Sequence, residues 1–101
     1  MTNISCEEVK LRMDAGENLN LLDVRQPEET AEFNIGGIPF PLGKIQNMDT
    51  EEIENLKNEE VICYCRSGNR SGMAALILEQ IGFGNVKNLT GGMLRWREKF
   101  G

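Results

Sequence analysis

The chain has 101 residues, and its 11 Lys+Arg against 16 Asp+Glu give a formal net charge of -5. A chain of this size has room for one core, so a single domain over 1–101 is expected. The acidic balance is the reverse of a nucleic-acid-binding surface, so no nucleic acid is expected as a partner. There is no histidine, which excludes Ser-His-Asp triads, Cys-His dyads and His-ligated zinc within the chain. If it works near neutral pH, another group must activate the reacting atom.

Three cysteines, Cys6, Cys63 and Cys65, are an odd number without a disulfide framework, which points to a reducing compartment. The start of the chain has neither a basic segment nor a long apolar stretch, so no signal peptide is read there. The longest apolar runs, Val61 to Cys65 and Met73 to Leu78, are too short to span a bilayer. A cytoplasmic protein with no membrane partner is expected.

In chain order, Ser5-Cys6-Glu7-Glu8 reads as a capping box opening a helix with Val9, Leu11 and Met13, stopped by Gly16. Leu19 to Val24 is a short buried strand. Pro27 suits the first turn of a helix reaching Phe33. Gly36-Gly37 breaks that helix, and the prolines of Ile38-Pro39-Phe40-Pro41-Leu42 place an extended segment at a sheet edge. Asp49-Thr50-Glu51-Glu52 begins a short acidic helix ending near Leu56. Val61 to Cys65 is a continuous apolar run, as in a central strand of a parallel sheet. A helix follows from about Arg70 to Ile81 with Met73, Ala74, Ile77 and Ile81 on one face. Gly82 and Phe83 suit a Schellman ending. Val86 to Leu89 is a last strand, and Thr90 is expected to cap a final helix with Met93, Leu94, Trp96 and Phe100. Alternating strands and helices predict an α/β fold on a mainly parallel sheet, with ligands beyond the carboxyl ends of the strands.

The loop at such an end is Cys65-Arg66-Ser67-Gly68-Asn69-Arg70-Ser71. A tight strand-to-helix loop turns backbone N–H groups inward as an anion nest. The helix N-terminus adds about half a positive charge. Gly68 lets the backbone curl. Arg66 and Arg70 add positive charge with no carboxylate in the loop, while Ser67, Asn69 and Ser71 can bond the loop to itself or cap the helix. All of this favours a thiolate at Cys65, or a sulfur anion attached to it. The alternative for Cys65 is a buried structural thiol. Cys63 lies two residues back, on the same face and about 6–7 Å away, and is read as a core thiol; a Cys63–Cys65 disulfide would strain an extended segment. Cys6 has no basic neighbours and is read as structural. Three cysteines fall one ligand short of a closed zinc site, and neither metal nor cofactor is expected.

Asp23 and Arg25 are weighed evenly between ordinary end-of-strand charges and residues that order the neighbouring loops. Glu51, Glu52, Glu54, Glu59 and Glu60 are read as a solvated face or a surface for a basic partner. Trp96 and Phe100 are read as core packing.

Asp23-Val24-Arg25-Gln26-Pro27-Glu28-Glu29 resembles the Asp-Val-Arg-x-Pro-x-Glu segment of rhodanese-like domains. Cys65 to Ser71 is similar to the active-site loop of their single-domain bacterial members. Val86-Lys87-Asn88-Leu89-Thr90-Gly91-Gly92-Met93-Leu94-Arg95-Trp96 resembles their Val-x-Asn-Leu-x-Gly-Gly-x-x-x-Trp ending. The resemblance implies a rhodanese fold, a five-stranded mainly parallel sheet flanked by helices on both faces. It also implies sulfurtransferase chemistry: Cys65 would attack the outer sulfur of thiosulfate, carry a persulfide and pass sulfur to cyanide, a thiol or a protein acceptor. Backbone amides from Arg66 to Ser71 would hold the persulfide, and Arg66 and Arg70 would attract the anionic donor. The family's Gly-His-Ile-Pro-Gly-Ala stretch is not matched by Glu32 to Leu42, a departure that bears on the pocket wall and substrate preference rather than on the nucleophile. A phosphatase of related fold places one more residue between cysteine and arginine than the four here. An arsenate reductase is no better supported, and a non-enzymatic partner-binding module often lacks the cysteine.

Overall fold

The computed structural model describes all 101 residues. Its five strands are Thr2–Ile4 (β1), Leu21–Asp23 (β2), Ile38–Pro39 (β3), Glu60–Tyr64 (β4) and Asn85–Leu89 (β5). They form one sheet in the order β1-β5-β4-β2-β3, with every pairing parallel. The helices are Cys6–Asp14 (α1), Pro27–Glu32 (α2), Leu42–Gln46 (α3), Asn69–Gln80 (α4) and Gly92–Phe100 (α5), with a 3₁₀ helix over Glu51–Leu56. No helix is long and apolar enough to cross a membrane.

The central strand alternates between two cores. Val61, Cys63 and Cys65 join Leu22, Val24, Phe40 and the buried residues of α4 on one face. Ile62 and Tyr64 join Val9, Leu89, Met93 and Trp96 on the other. Strands buried on both faces read as unbroken apolar runs, which is why β2 and β4 were legible in the sequence. The sheet therefore carries helices on both sides, as the resemblance implied.

Several local expectations change. The buried stripe of α4 is Ser71, Ala74, Ala75 and Leu78, while Met73 is exposed. Small residues at helical spacing let α4 approach the sheet closely, so the alanines face inward and the larger Met73 does not. Leu11 is exposed on α1. Only the Ser5 half of the first capping box forms, with the Glu8 N–H donating to Ser5 Oγ at 3.1 Å. Thr90 does not cap α5: its hydroxyl donates to the Ile4 carbonyl, and left-handed Gly91 precedes the helix. Phe100 sits at the rim, edge-on to buried Trp96 at 5.0 Å. Strand β1 and helix α3, absent from the sequence reading, are too short to show a period. The Schellman ending forms as expected, with Phe83 N–H donating to Leu78 O and Gly82 N–H to Glu79 O.

Candidate active site around Cys65

Cys65 follows the last residue of β4 and is almost wholly buried. Beyond it the chain turns within Arg66–Gly68 and enters α4 at Asn69. The turn needs Gly68, whose φ is +105°, a left-handed value that side chains disfavour. In that conformation the Gly68 N–H donates to Cys65 Sγ at 3.2 Å. The Ser71 N–H, in the first turn of α4, donates from the other side at 3.4 Å, and the Ser71 hydroxyl lies 3.4 Å from the same sulfur.

Burial pushes the Cys65 thiol up, but bonds from the Ser71 hydroxyl, its N–H and the Gly68 and Ser67 amides outweigh it, and the net shift is downward. The amide nest expected from the sequence is therefore present, and hydrogen bonds lead the shift. Arg70 is not a free charge. Its guanidinium makes a two-pronged pair with Glu29 of α2, at 2.6 and 2.8 Å. That pair holds the Glu29 carboxyl down at about 2. Arg66 is exposed and has no carboxylate partner. Ser67 and Asn69 are exposed, and neither side chain closes the loop; Ser71 alone among the polar side chains does so.

The loop is clamped from behind by α5. Met93 N–H donates to the Cys65 carbonyl and Leu94 N–H to the Arg66 carbonyl, both at 2.9 Å. A Cβ on Gly92 would stand 2.5 Å from the Cys65 oxygen, closer than real Cβ contacts come. Glycine is thus required where α5 meets the loop.

Asp23 and Arg25 form a buried pair at the end of β2, with Nε to Oδ1 at 2.9 Å and Nη2 to Oδ2 at 2.8 Å. Thr30 of α2 donates to Asp23 Oδ2 at 2.9 Å, and Arg25 also donates to the Phe33 carbonyl. The pair ties β2 to the second half and the C-terminal end of α2, which in turn presents Glu29 to Arg70. Asp23 does not cap α2; Gln26 occupies that position. A cleft of about 120 Å³ opens beside the loop, lined by Arg25, Phe33, Arg66, Met93, Leu94 and Arg97 among others. Cys65 does not line it, so Arg66 faces this cleft while the sulfur faces α4.

The other thiols are held differently. All three cysteines are free. Burial drives Cys63 up to about 12, and burial with Glu7 beside it raises Cys6, whose sulfur lies near the Thr90 and Gly92 carbonyls. The segment that departs from the family pattern is pinned by Tyr64, whose hydroxyl donates to Asn34 and accepts from the Gly37 N–H. A Cβ at Gly37 would collide with the Tyr64 ring. Glu29, Asn88 and Gly92 were not singled out as site residues in the sequence. The spacings between Glu29 and Arg70 and between Asn88 and Ser71 carry no local signal, whereas the Gly91-Gly92 pair before a helix was a visible one.

The profile of the rhodanese-like domain matches residues 5–99. YrkF of Bacillus subtilis, named as a sulfur carrier protein, is 40% identical over 97 residues, 95% of this chain and 51% of YrkF. A sulfurtransferase of Allochromatium vinosum is 35% identical over 97 residues, covering 95% of this chain and 88% of that protein. The crystal structure of a rhodanese-like domain protein from Staphylococcus aureus superposes with a TM-score of 0.83 at 31% identity, covering 95% and 91% of the two chains. The chain thus spans about half of one of these curated relatives and most of the other.

Proposed function

Because this chain belongs to the rhodanese-like domain family, we propose that it is a sulfurtransferase that carries a sulfane sulfur as a persulfide on Cys65. The observation that supports this reading most is the set of N–H donors aimed at one buried sulfur. Such a cradle favours a thiolate, and then the persulfide that replaces it, without an imidazole.

With thiosulfate as donor, the Cys65 thiolate attacks the outer sulfur and forms an S–S bond. The bond between the two donor sulfurs breaks, and sulfite leaves with its electron pair. An acceptor thiolate or cyanide then attacks the outer sulfur of the persulfide, and the Cys65 thiolate returns. The amides of Ser67, Gly68 and Ser71 face the Cys65 sulfur. In this reading those of Arg66, Asn69 and Arg70 complete the loop around the outer sulfur of the persulfide, and exposed Arg66 meets the incoming anion. Arg70 is tied to Glu29 and serves the loop's shape as much as its charge. Asp23 and Arg25 support the loop through α2. The three free thiols suit a reducing, cytoplasmic setting.

A second reading, a persulfide carrier that hands sulfur to a protein, is favoured by the carrier name of YrkF and by relatives named as adenylyltransferase and sulfurtransferase proteins, in which this chain matches a quarter of the length or less. Both readings require the same loading step. Incubation with thiosulfate should add the mass of one sulfur atom to the protein, read by intact-mass spectrometry, and Cys65→Ser should gain nothing. No adduct on the wild type, or an equal adduct on Cys65→Ser, would overturn the mechanism. Release of the added sulfur to cyanide or a small thiol at many turnovers separates the enzyme from the carrier.

A further inference from the structure

Asn88 on β5 pairs in register with Cys63 of β4, so its side chain leaves the sheet on the face that Cys65 occupies. There it runs under the start of α4. A Cβ on Gly72 would stand 3.3 Å from Asn88 Nδ2, so the bare backbone at Gly72 makes room for the amide. Asn88 Nδ2 donates to the Gly68 carbonyl at 3.1 Å. That carbonyl can only accept, so the amide's NH₂ end is fixed towards it and Oδ1 is fixed towards Ser71.

Asn88 Oδ1 and Ser71 Oγ are 2.5 Å apart. Two oxygens so close require a proton between them, and the amide oxygen has none, so the Ser71 hydroxyl supplies it. A hydroxyl has one proton. The same Oγ is 3.4 Å from Cys65 Sγ, and Ser71, Asn88 and Cys65 are all buried, so water does not readily substitute.

We propose that Asn88 is a positioning residue that sets which way the Ser71 hydroxyl points its single proton, and so whether the Cys65 sulfur meets a donor or a lone pair there. In the thiol form, Cys65 S–H donates to Ser71 Oγ, Ser71 O–H to Asn88 Oδ1, and Asn88 N–H to the Gly68 carbonyl. The Gly68 N–H returns to Sγ, and the ring is closed. When Cys65 loses its proton, the Ser71 hydroxyl turns to the sulfur and leaves two oxygens facing one another. The persulfide has no negative charge on Sγ, so the hydroxyl returns to Asn88. Asn88 thereby resists the free thiolate and favours the states in which Sγ is neutral, the thiol and the loaded persulfide.

The inference rests on reading Cys65 as the nucleophile. The charged and titratable groups around that sulfur are the Arg70–Glu29 pair, exposed Arg66, the Asp23–Arg25 pair and neutral Cys63. Cys63 is the register partner of Asn88 on β4, and the Asn88 side chain hydrogen-bonds to none of these groups, only to Ser71 and Gly68. The Gly68 carbonyl also keeps its bond from the Gly72 N–H when Asn88 is replaced.

Alkylation rate against pH, followed by intact mass on Asn88→Leu, tests the idea. With the competing acceptor gone, Ser71 donates freely to the thiolate and the midpoint should fall by about half to one unit. In the Ser71→Ala background the same replacement should leave the midpoint unmoved. An unchanged or raised midpoint in Asn88→Leu, or an equal fall without Ser71, overturns the proposal. If Asn88→Leu does not fold, the wild type answers alone. The Asn88 side-chain amide NMR signal should shift with the Cys65 titration, and that shift should vanish in Ser71→Ala; a flat signal overturns it. Neither readout involves a sulfur donor, so a protein that passes here and takes no sulfur from thiosulfate sinks only the transfer reading.

Discussion

Cys63 and Cys65 are two residues apart, on the same face and equally hidden from solvent, yet their thiols are driven in opposite directions. Cys63 lies within the strand, where the nearby N–H groups are engaged in the ladder between β4 and its neighbours. Burial acts on it most, the charge of Cys65 adds in the same direction, and both disfavour the anion. Cys65 lies one step beyond the strand, where the ladder has ended and the amides of the turn are free to point at sulfur. The reactive thiol is therefore made by where the strand stops, and its burial becomes an asset once donors are supplied.

Replacing each cysteine in turn is the most severe way to break the comparison. Cys65→Ser should lose all sulfur uptake from thiosulfate. Cys63→Ala should keep uptake within a factor of a few and lose about 1 kcal/mol of stability in urea unfolding, as expected for trimming a buried side chain. Loss of uptake in a folded Cys63→Ala protein would show that the strand thiol takes part.

The next largest effect is expected where the loop meets α5. Gly92→Ala places a Cβ against the Cys65 and Arg66 carbonyls at a φ of +55°. Relief requires the loop or the helix to move, at a cost of about 2 kcal/mol or more. Urea unfolding should show that loss, and alkylation of Cys65 should slow because the clamp on its carbonyl is displaced. A variant as stable and as reactive as the wild type would mean that the clamp is dispensable.

These two regions also differ in how far the sequence discloses them. The strand is written in one continuous apolar run, and the cradle in a cysteine, a glycine and a following helix, because both depend on neighbours in the chain. The Glu29–Arg70 pair, the α5 amides on the loop and the Ser71–Asn88 contact join residues far apart in sequence, so no spacing rule reveals them. The loop itself holds no carboxylate, yet Arg70 finds one on Glu29, 41 positions away, which its own neighbours in the chain do not disclose. Thr90 misled in a similar way, since a hydroxyl before a helix signals a cap unless a strand such as β1 claims it first.

A milder change sharpens the role of the donors. Ser71→Ala removes the side-chain bond that favours the thiolate while keeping the Ser71 and Gly68 amides. The alkylation midpoint should rise, by up to about one unit, and stay below that of an unfolded cysteine. A midpoint at or above about 8.5 would mean that the amides do little without the hydroxyl.

The smallest effect expected is that of Glu29→Gln. Its carboxyl sits at about 2 in the folded protein, below the unfolded value near 4.3. A carboxylate lowered on folding contributes stability that is full above the unfolded value and lost as pH falls towards the folded one. The wild type should therefore exceed Glu29→Gln in stability at pH 7, and the two should converge between about pH 4.5 and pH 2. Because Arg70 and Glu29 are each about a third exposed, solvent screening holds the gap at neutral pH to about 1 kcal/mol or less. Reactivity is the more telling measurement. If the ion pair mainly holds the turn in shape, glutamine keeps one bond to Arg70 and the Cys65 midpoint stays within a few tenths of a unit. A fall much larger than that would mean that Arg70, once released from Glu29, acts on the sulfur as a charge, and that the positive island expected from the sequence is held in check by α2.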